Sequence, residues 1–144
     1  MGSYSAKVIA RLPMVGEAKG PRLNTSEKVA ELCKDMEGLA QETFHLLTLD
    51  QKHKVIDRHM VALGSLTGTI VHPREVFRLA LLDCAAAVMF VHNHPSGDTK
   101  PSRDDLELTA RLVDAAKLLG IRVLDHVIIG RDGRHFSFCV EGLL

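Results

Sequence analysis

The chain has 144 residues, enough for one compact domain and too few for two of ordinary size. Hydrophobic residues make up 46% and charged residues 25%, an ordinary soluble composition that excludes disorder and collagen-like repeats. Eighteen basic and eighteen acidic side chains cancel to a formal charge of zero, so no strong electrostatic hold on nucleic acid or anionic lipid is expected.

The longest apolar run, Cys84 to Val91, has eight residues, against roughly 20 for a membrane-spanning helix. No membrane segment is expected. Three cysteines without a C-x-x-C pair, and an opening stretch without a charged-then-apolar signal, lead to the expectation of reduced thiols in the cytoplasm. A single Tyr and no Trp leave few aromatic platforms for nucleobases.

Taken in chain order, Tyr4 to Leu12 reads as an N-terminal strand, and Pro13 to Pro21 as a linker. Residues 1–21 are therefore set apart from a domain over 22–144. Asn24 and Glu27 have the spacing of a capping box, and Val29, Leu32, Cys33 and Met36 fall on one face of a helix that Gly38 ends. Thr43 to Leu49 and Val55 to Leu63 read as paired strands around the polar turn Gln51–Lys54. Ser65 to His72 reads as extended. Pro73 suits the first turn of a helix with Val76, Phe77, Ala80 and Leu81 as its buried stripe.

Ala85 to Val91 is apolar on both faces, as a central strand is. After a loop with Pro95, Gly97 and Pro101, Ser102 opens a helix carrying Leu106, Thr109, Leu112, Val113 and Ala116, stopped by Gly120. Ile121 to Ile129 and His135 to Val140 are strands joined by the turn Arg131–Arg134. This alternation predicts an α/β fold with a mixed sheet flanked by helices.

Chemistry concentrates in Val91 to Asp105, VHNHPSGDTKPSRDD. Residues i and i+2 of a strand point to the same side, so His92 and His94 can face one point at a strand's carboxyl end. Asp105 follows Ser102 by three residues at a helix start, where the Pro-Gly loop can fold it back over the strand. Two imidazoles and a carboxylate leave a fourth position open, as catalytic zinc sites do. Bound water in that position would have its pKa lowered to ~7.

Plainer readings stand beside this one. Ser102 and Asp105 would serve as a helix-capping pair, and a His pair at a strand end can be structural. Asp98, four residues after His94, is an alternative acidic ligand of the kind all-β cupins use, but the long helix after Ser102 argues against an all-β setting. The string His-Asn-His also suggests a ββα nuclease, which lacks a buried apolar strand at this point. The chain is too short for the barrel hydrolases that use His-x-His.

His92-x-His94, Ser102 and Asp105 at these spacings resemble the JAMM motif of MPN-domain metalloproteases. The wider string HNHPSGDTKPSRDD resembles the RadC family, with Val71-His-Pro-Arg-Glu-Val-Phe77 before it and Leu124-Asp-His-Val-Ile-Ile-Gly130 after it. The similarity covers roughly residues 22–144. It implies a cytidine-deaminase-like mixed sheet, zinc on His92, His94 and Asp105, and Ser102 hydrogen-bonded to a developing oxyanion. It also implies an upstream glutamate as general base in the hydrolysis of a peptide or isopeptide bond. Glu42, just before the strand Thr43–Leu49, is the preferred candidate, since a strand-start carboxylate can reach a neighbouring strand's metal water. Glu75, at a helix start, is the alternative.

His126, in the Leu-Asp-His block, could orient a ligand with Asp125, but a strand histidine hydrogen-bonded in the sheet is the preferred reading. His45, His53, His59, His72 and His135 are taken as non-ligands. Family members often carry an N-terminal helical DNA-binding-type module, which is not expected in the twenty or so residues that precede the resemblance. A DNA-repair role, as the family's name suggests, has weak support from a neutral chain with few aromatics. A metal-binding scaffold without catalysis is a third reading. The sequence leaves the peptide or protein substrate and the oligomeric state open.

Overall fold

The computed structural model describes residues 18–64 and 71–144. The expected strand Tyr4–Leu12, most of the expected linker and most of the extended piece Ser65–His72 lie outside the described residues.

Among the described residues, strands read from the sequence form one five-stranded sheet. It contains β1 (Thr43–Leu49), β2 (Val55–Leu63), β3 (Ala87–Asn93), β4 (Arg122–Ile129) and β5 (His135–Ser137), in the order β2-β1-β3-β4-β5. β1 pairs antiparallel with β2 and β3, β3 pairs parallel with β4, and β4 pairs antiparallel with β5. The sheet is mixed, as expected. Every residue of β1 and β3 is buried, whereas the edge strand β2 has a largely exposed pattern.

Helices cover both faces of the sheet. α1 (Ser26–Leu32) and the single 3₁₀ turn after it, Lys34–Met36, pack Val29, Cys33 and Met36 on Leu47, Leu49, Met89, Val91 and Val127. On the other face, α2 (Pro73–Leu82) and α3 (Arg103–Leu119) bring Val76, Phe77, Leu108 and Leu112 against Phe44, Leu46, Val88 and Phe90. Alternate residues of each central strand thus feed two separate cores. Full burial contributes about 1.5–3 kcal/mol for a side chain such as Phe90. Among the described residues, no helix is long and apolar enough to cross a membrane.

Several details differ from the sequence reading. Thr25, not Asn24, caps α1, its side chain accepting from the Lys28 N–H at 3.3 Å. The α-helix stops at Leu32 and tightens into the 3₁₀ turn before Gly38 takes φ +74°. In α2, Leu81 is 55% exposed while Val76, Phe77 and Ala80 face the core. In α3 the inward stripe is Asp105, Leu108, Thr109, Leu112 and Ala116, so Leu108 replaces the expected Leu106 and Val113. β3 begins two residues later than expected and takes in His92 and Asn93.

The last strand is also shorter than expected, ending at Ser137. Beyond it the Cys139 N–H donates to the Asp125 carboxylate at 2.9 Å, and the Ser137 hydroxyl donates to the same group. Phe138 still donates its N–H to the His126 carbonyl at 3.0 Å, and past it the chain is held by the Asp125 side chain of β4 in place of ladder pairing.

The roll of α3 can be checked by truncation. Leu108→Ala should cost about 2–5 kcal/mol in urea unfolding, as buried leucines do, whereas Leu106→Ala should cost under about 1 kcal/mol. Equal costs at the two positions would show that the helix is rotated from the orientation described.

Candidate metal centre

β3 delivers two histidines to its carboxyl end. His92 is the sixth residue of the strand and fully buried. His94 follows the strand, its N–H donating to the Ile129 carbonyl at 3.0 Å, which carries the parallel pairing one step further. The chain then turns sharply: Gly97 N–H donates to the His94 carbonyl at 2.9 Å, with Gly97 at φ +86°. Gly130 lies against this turn. A Cβ there would come within 2.7 Å of the Gly97 carbonyl oxygen, which only glycine avoids.

Asp105 arrives from the first turn of α3. Ser102 and Asp105 form a capping box: the Asp105 N–H donates to Ser102 Oγ at 3.1 Å, and the Ser102 N–H donates to Asp105 Oδ2 at 2.8 Å. The capping and ligand readings of this pair are therefore compatible. The capped carboxylate places Oδ1 3.3 Å from His92 Nε2 and Oδ2 3.1 Å from His94 Nε2. The two Nε2 atoms are 3.0 Å apart.

The chemistry of these atoms suits a divalent cation. The His94 Nδ1–H donates to the Asp98 backbone carbonyl at 2.7 Å, which leaves a lone pair on Nε2. Tetrahedral zinc with Zn–N of 2.0–2.1 Å holds neighbouring ligand atoms about 3.3 Å apart, close to the separations found here. Asp98 thus contributes its backbone carbonyl, while its carboxylate accepts from the Lys100 N–H on the surface.

Electrostatics follow the same geometry. Burial pushes the His92 pKa down, and the hydrogen bond with Asp105 only partly offsets it. Burial also acts to lower His94, but Asp105 and the Asp98 carbonyl outweigh it and the net shift is upward. Burial alone would raise Asp105, yet its contacts with both histidines hold it well below the usual carboxylate range. His126 is pushed well below its ordinary value by burial and by neighbouring His92.

Glu42 stands half-buried immediately before β1 and lines a cleft of about 580 Å³ together with His94, Ser96 and Ser102. Its charge acts on both His92 and His94. The backbone around it is clamped by Asn93, the residue between the two histidines. Asn93 Oδ1 accepts from the Thr43 N–H at 2.7 Å, and Asn93 Nδ2 donates to the Gln41 carbonyl at 3.0 Å. The Gly64 N–H donates to the Glu42 carbonyl at 2.8 Å. Glu75 sits elsewhere, on the first turn of α2, half-exposed beside Arg74 and Arg78.

The other histidines divide plainly. His126 reaches the centre, its Nε2 lying 2.6 Å from His92 Nδ1. Asp125 does not orient that ring, because its carboxylate accepts from Ser137, Cys139 and the His126 backbone N–H. His59 pairs with Asp83 at 2.7 Å on the β2 side; with Asp57 these make a second cluster of possible ligands, partly exposed. His45 lies under β2, where its Nδ1 accepts from Arg58 Nε at 3.2 Å. The sequence raised His126 as a residue that could orient a ligand, and it does contact His92, with Thr109 rather than Asp125 on its other nitrogen. Spacing gave no sign of the Asn93 clamp.

A mixed sheet between helices, with two histidines from a strand end and an aspartate from the next helix cap facing one point, defines a JAB/MPN-type domain. The model of the RadC-like JAB domain matches residues 23–143, and the chain belongs to that family. Among similar proteins are a "UPF0758 protein" of Methanosarcina acetivorans, 53% identical, and one of Trichlorobacter lovleyi, 56% identical. A third, from Geobacter sulfurreducens, is also 56% identical. Each match runs over 104 residues, 72% of this chain and 45% of the relative, so the chain spans just under half the length of these curated relatives.

His45 gives this region a pH signature. Burial first, and then the Arg58 guanidinium facing Nδ1, lower its pKa from 6.5 to about 4. The folded state therefore binds fewer protons here than the unfolded chain, so the residue's contribution is complete above pH 6.5 and is lost as pH falls toward 4. Urea midpoints should show a loss of roughly 1–2 kcal/mol from this residue between pH 7 and pH 5. His45→Gln should flatten the dependence, and an unchanged slope in that variant would remove His45 as its source.

Proposed function

We propose that this domain is a zinc-dependent hydrolase of peptide or isopeptide bonds. In this reading His92, His94 and Asp105 hold the metal, Glu42 is the general base and Ser102 stabilises the oxyanion. The observation that carries it is the convergence of two Nε2 atoms and one carboxylate within 3.0–3.3 Å of one another, beside a cleft lined by Glu42 and Ser102.

When bound, zinc supplies Lewis acidity that brings a water proton within reach of a carboxylate at neutral pH and draws charge from a carbonyl oxygen. The Glu42 carboxylate takes that proton and passes it to the leaving amine nitrogen as the C–N bond breaks, returning to its ionised form. Ser102 Oγ accepts from the Asp105 N–H, so its own O–H proton is left for the substrate oxygen as negative charge grows there. The Asp98 carbonyl keeps the His94 ring in one orientation throughout. Asn93 holds the backbone on both sides of Glu42 against movement during proton transfer.

The substrate in this reading is a peptide or protein chain. The three cysteines are unpaired thiols, which suits a reducing compartment, and we place the domain in the cytoplasm on that ground.

Elemental analysis of freshly purified protein should find about one zinc per chain, and His92→Ala and Asp105→Ala should lose it. Against a panel of fluorogenic peptide and isopeptide-linked substrates, Glu42→Gln should keep the metal and the fold but lower hydrolysis by about 10²–10⁴-fold. Glu75→Gln should leave the rate unchanged. Full activity in Glu42→Gln would move the base to another residue, and zinc retained by Asp105→Ala would remove that ligand.

A further inference from the structure

Behind His92 a run of polar groups leads away from the cleft into the core. Thr109 Oγ1 lies 2.7 Å from the Asp105 backbone carbonyl oxygen and 2.6 Å from His126 Nδ1. His126 Nε2 in turn lies 2.6 Å from His92 Nδ1. Each of these contacts needs one proton, because two lone pairs facing each other at such a distance repel.

The direction of every bond follows from one end of the run. A carbonyl can only accept, so the single hydroxyl proton of Thr109 lies toward Asp105. Thr109 Oγ1 then accepts from the Nδ1–H of His126, which leaves a lone pair on His126 Nε2. That lone pair accepts from the Nδ1–H of His92. His92 is thereby left with its own lone pair on Nε2, the atom that faces His94 Nε2 and Asp105 Oδ1. Reversing one step would put two protons in one contact and none in the next.

We propose that His126, seated on Thr109, is a positioning residue that fixes the tautomer and ring orientation of His92 for metal binding. The relay is a closed circuit: it starts at the backbone carbonyl of Asp105 and ends opposite the carboxylate of the same residue. Packing alone does not call for an imidazole here. The His126 ring stacks on Phe138 with centroids 4.5 Å apart and meets Phe44 and Phe90 edge-on, a cage that phenylalanine would fill. What a phenyl ring lacks is the acceptor for His92.

This proposal rests on the metal-centre reading, and its test separates the two. His126→Phe keeps the aromatic stack and removes the acceptor. Its zinc affinity, measured by competition with a chelating indicator, should fall about 10–100-fold. Thr109→Val should weaken binding in the same direction, and His126→Gln, whose amide oxygen can accept from His92, should recover most of the affinity. Thr109→Val and His126→Gln carry the test if His126→Phe does not fold.

Long-range ¹H–¹⁵N spectra of the metal-free parent should show the His92 proton on Nδ1. A proton on Nε2, or zinc affinities of His126→Phe and Thr109→Val within twofold of the parent, would overturn the proposal. A parent that binds no zinc while its His92 carries the Nδ1 proton would overturn the metal reading, and the relay's purpose with it.

Discussion

Asp105 closes the first turn of α3 and turns the same pair of oxygens toward both histidines. Oδ2 accepts from the Ser102 N–H and faces His94, while Oδ1 faces His92. A free aspartate would rotate about its side-chain bonds; the capping box removes that freedom. The N-terminus of the seventeen-residue α3 also favours negative charge at this position. The carboxylate is therefore ionised and aimed before any ligand arrives. The helix start and the candidate metal centre are one structure, so a change that frays the cap also displaces the Asp105 carboxylate from the two histidines.

Asn93 performs a comparable service on the opposite side of the cleft. Being next to His92, it points to the other face of β3, where it takes the Thr43 N–H and the Gln41 carbonyl. Thr43 Oγ1 donates to the same amide oxygen and lies 3.1 Å from His45 Nε2. His45 is held by Arg58, which pairs in bidentate fashion with Asp35. A chain of bonds therefore links the 3₁₀ turn after α1, through two strands, to the segment carrying Glu42. This clamp ties the segment carrying Glu42 to β3, the strand that carries His92.

Much of this was legible in the sequence, and the part that was not has a physical reason. Elements with strong periodicity emerged where expected: β1 and β2 match their predicted bounds, and Ser102 opens α3. The His92, His94 and Asp105 cluster could be read because each partner lies within fourteen residues of the others and sits at a predictable strand end or cap. Finer choices went to tertiary packing. Leu108 rather than Leu106 faces the sheet because the whole helix rolls to bring Asp105 and Thr109 inward. Thr25 rather than Asn24 caps α1, a one-residue shift that two adjacent capping residues leave undetermined. The contact between His92 and His126 spans thirty-four residues and depends on β3 and β4 pairing in parallel, so no local spacing could indicate it.

Core and site also share their atoms. His92 stacks on Phe44 at 6.1 Å, Phe44 contacts Phe90 at 5.7 Å, and both phenylalanines belong to the cluster under α2 and α3. The imidazoles of His92 and His126 are thus packed as core residues, while His92 Nδ1 and both nitrogens of His126 are tied into the polar run toward Thr109. Burying such rings would be costly if any nitrogen lacked a partner, and among the described residues no buried side-chain nitrogen or oxygen does. The groups facing the cleft are different in kind: Glu42 is half-buried and Ser102 exposed. The part that would hold an ion is therefore specified by the interior of the domain, where packing leaves few alternatives. The part that would meet a substrate lies on the open side, outside the packed core, and is joined to it through the Ser102–Asp105 cap.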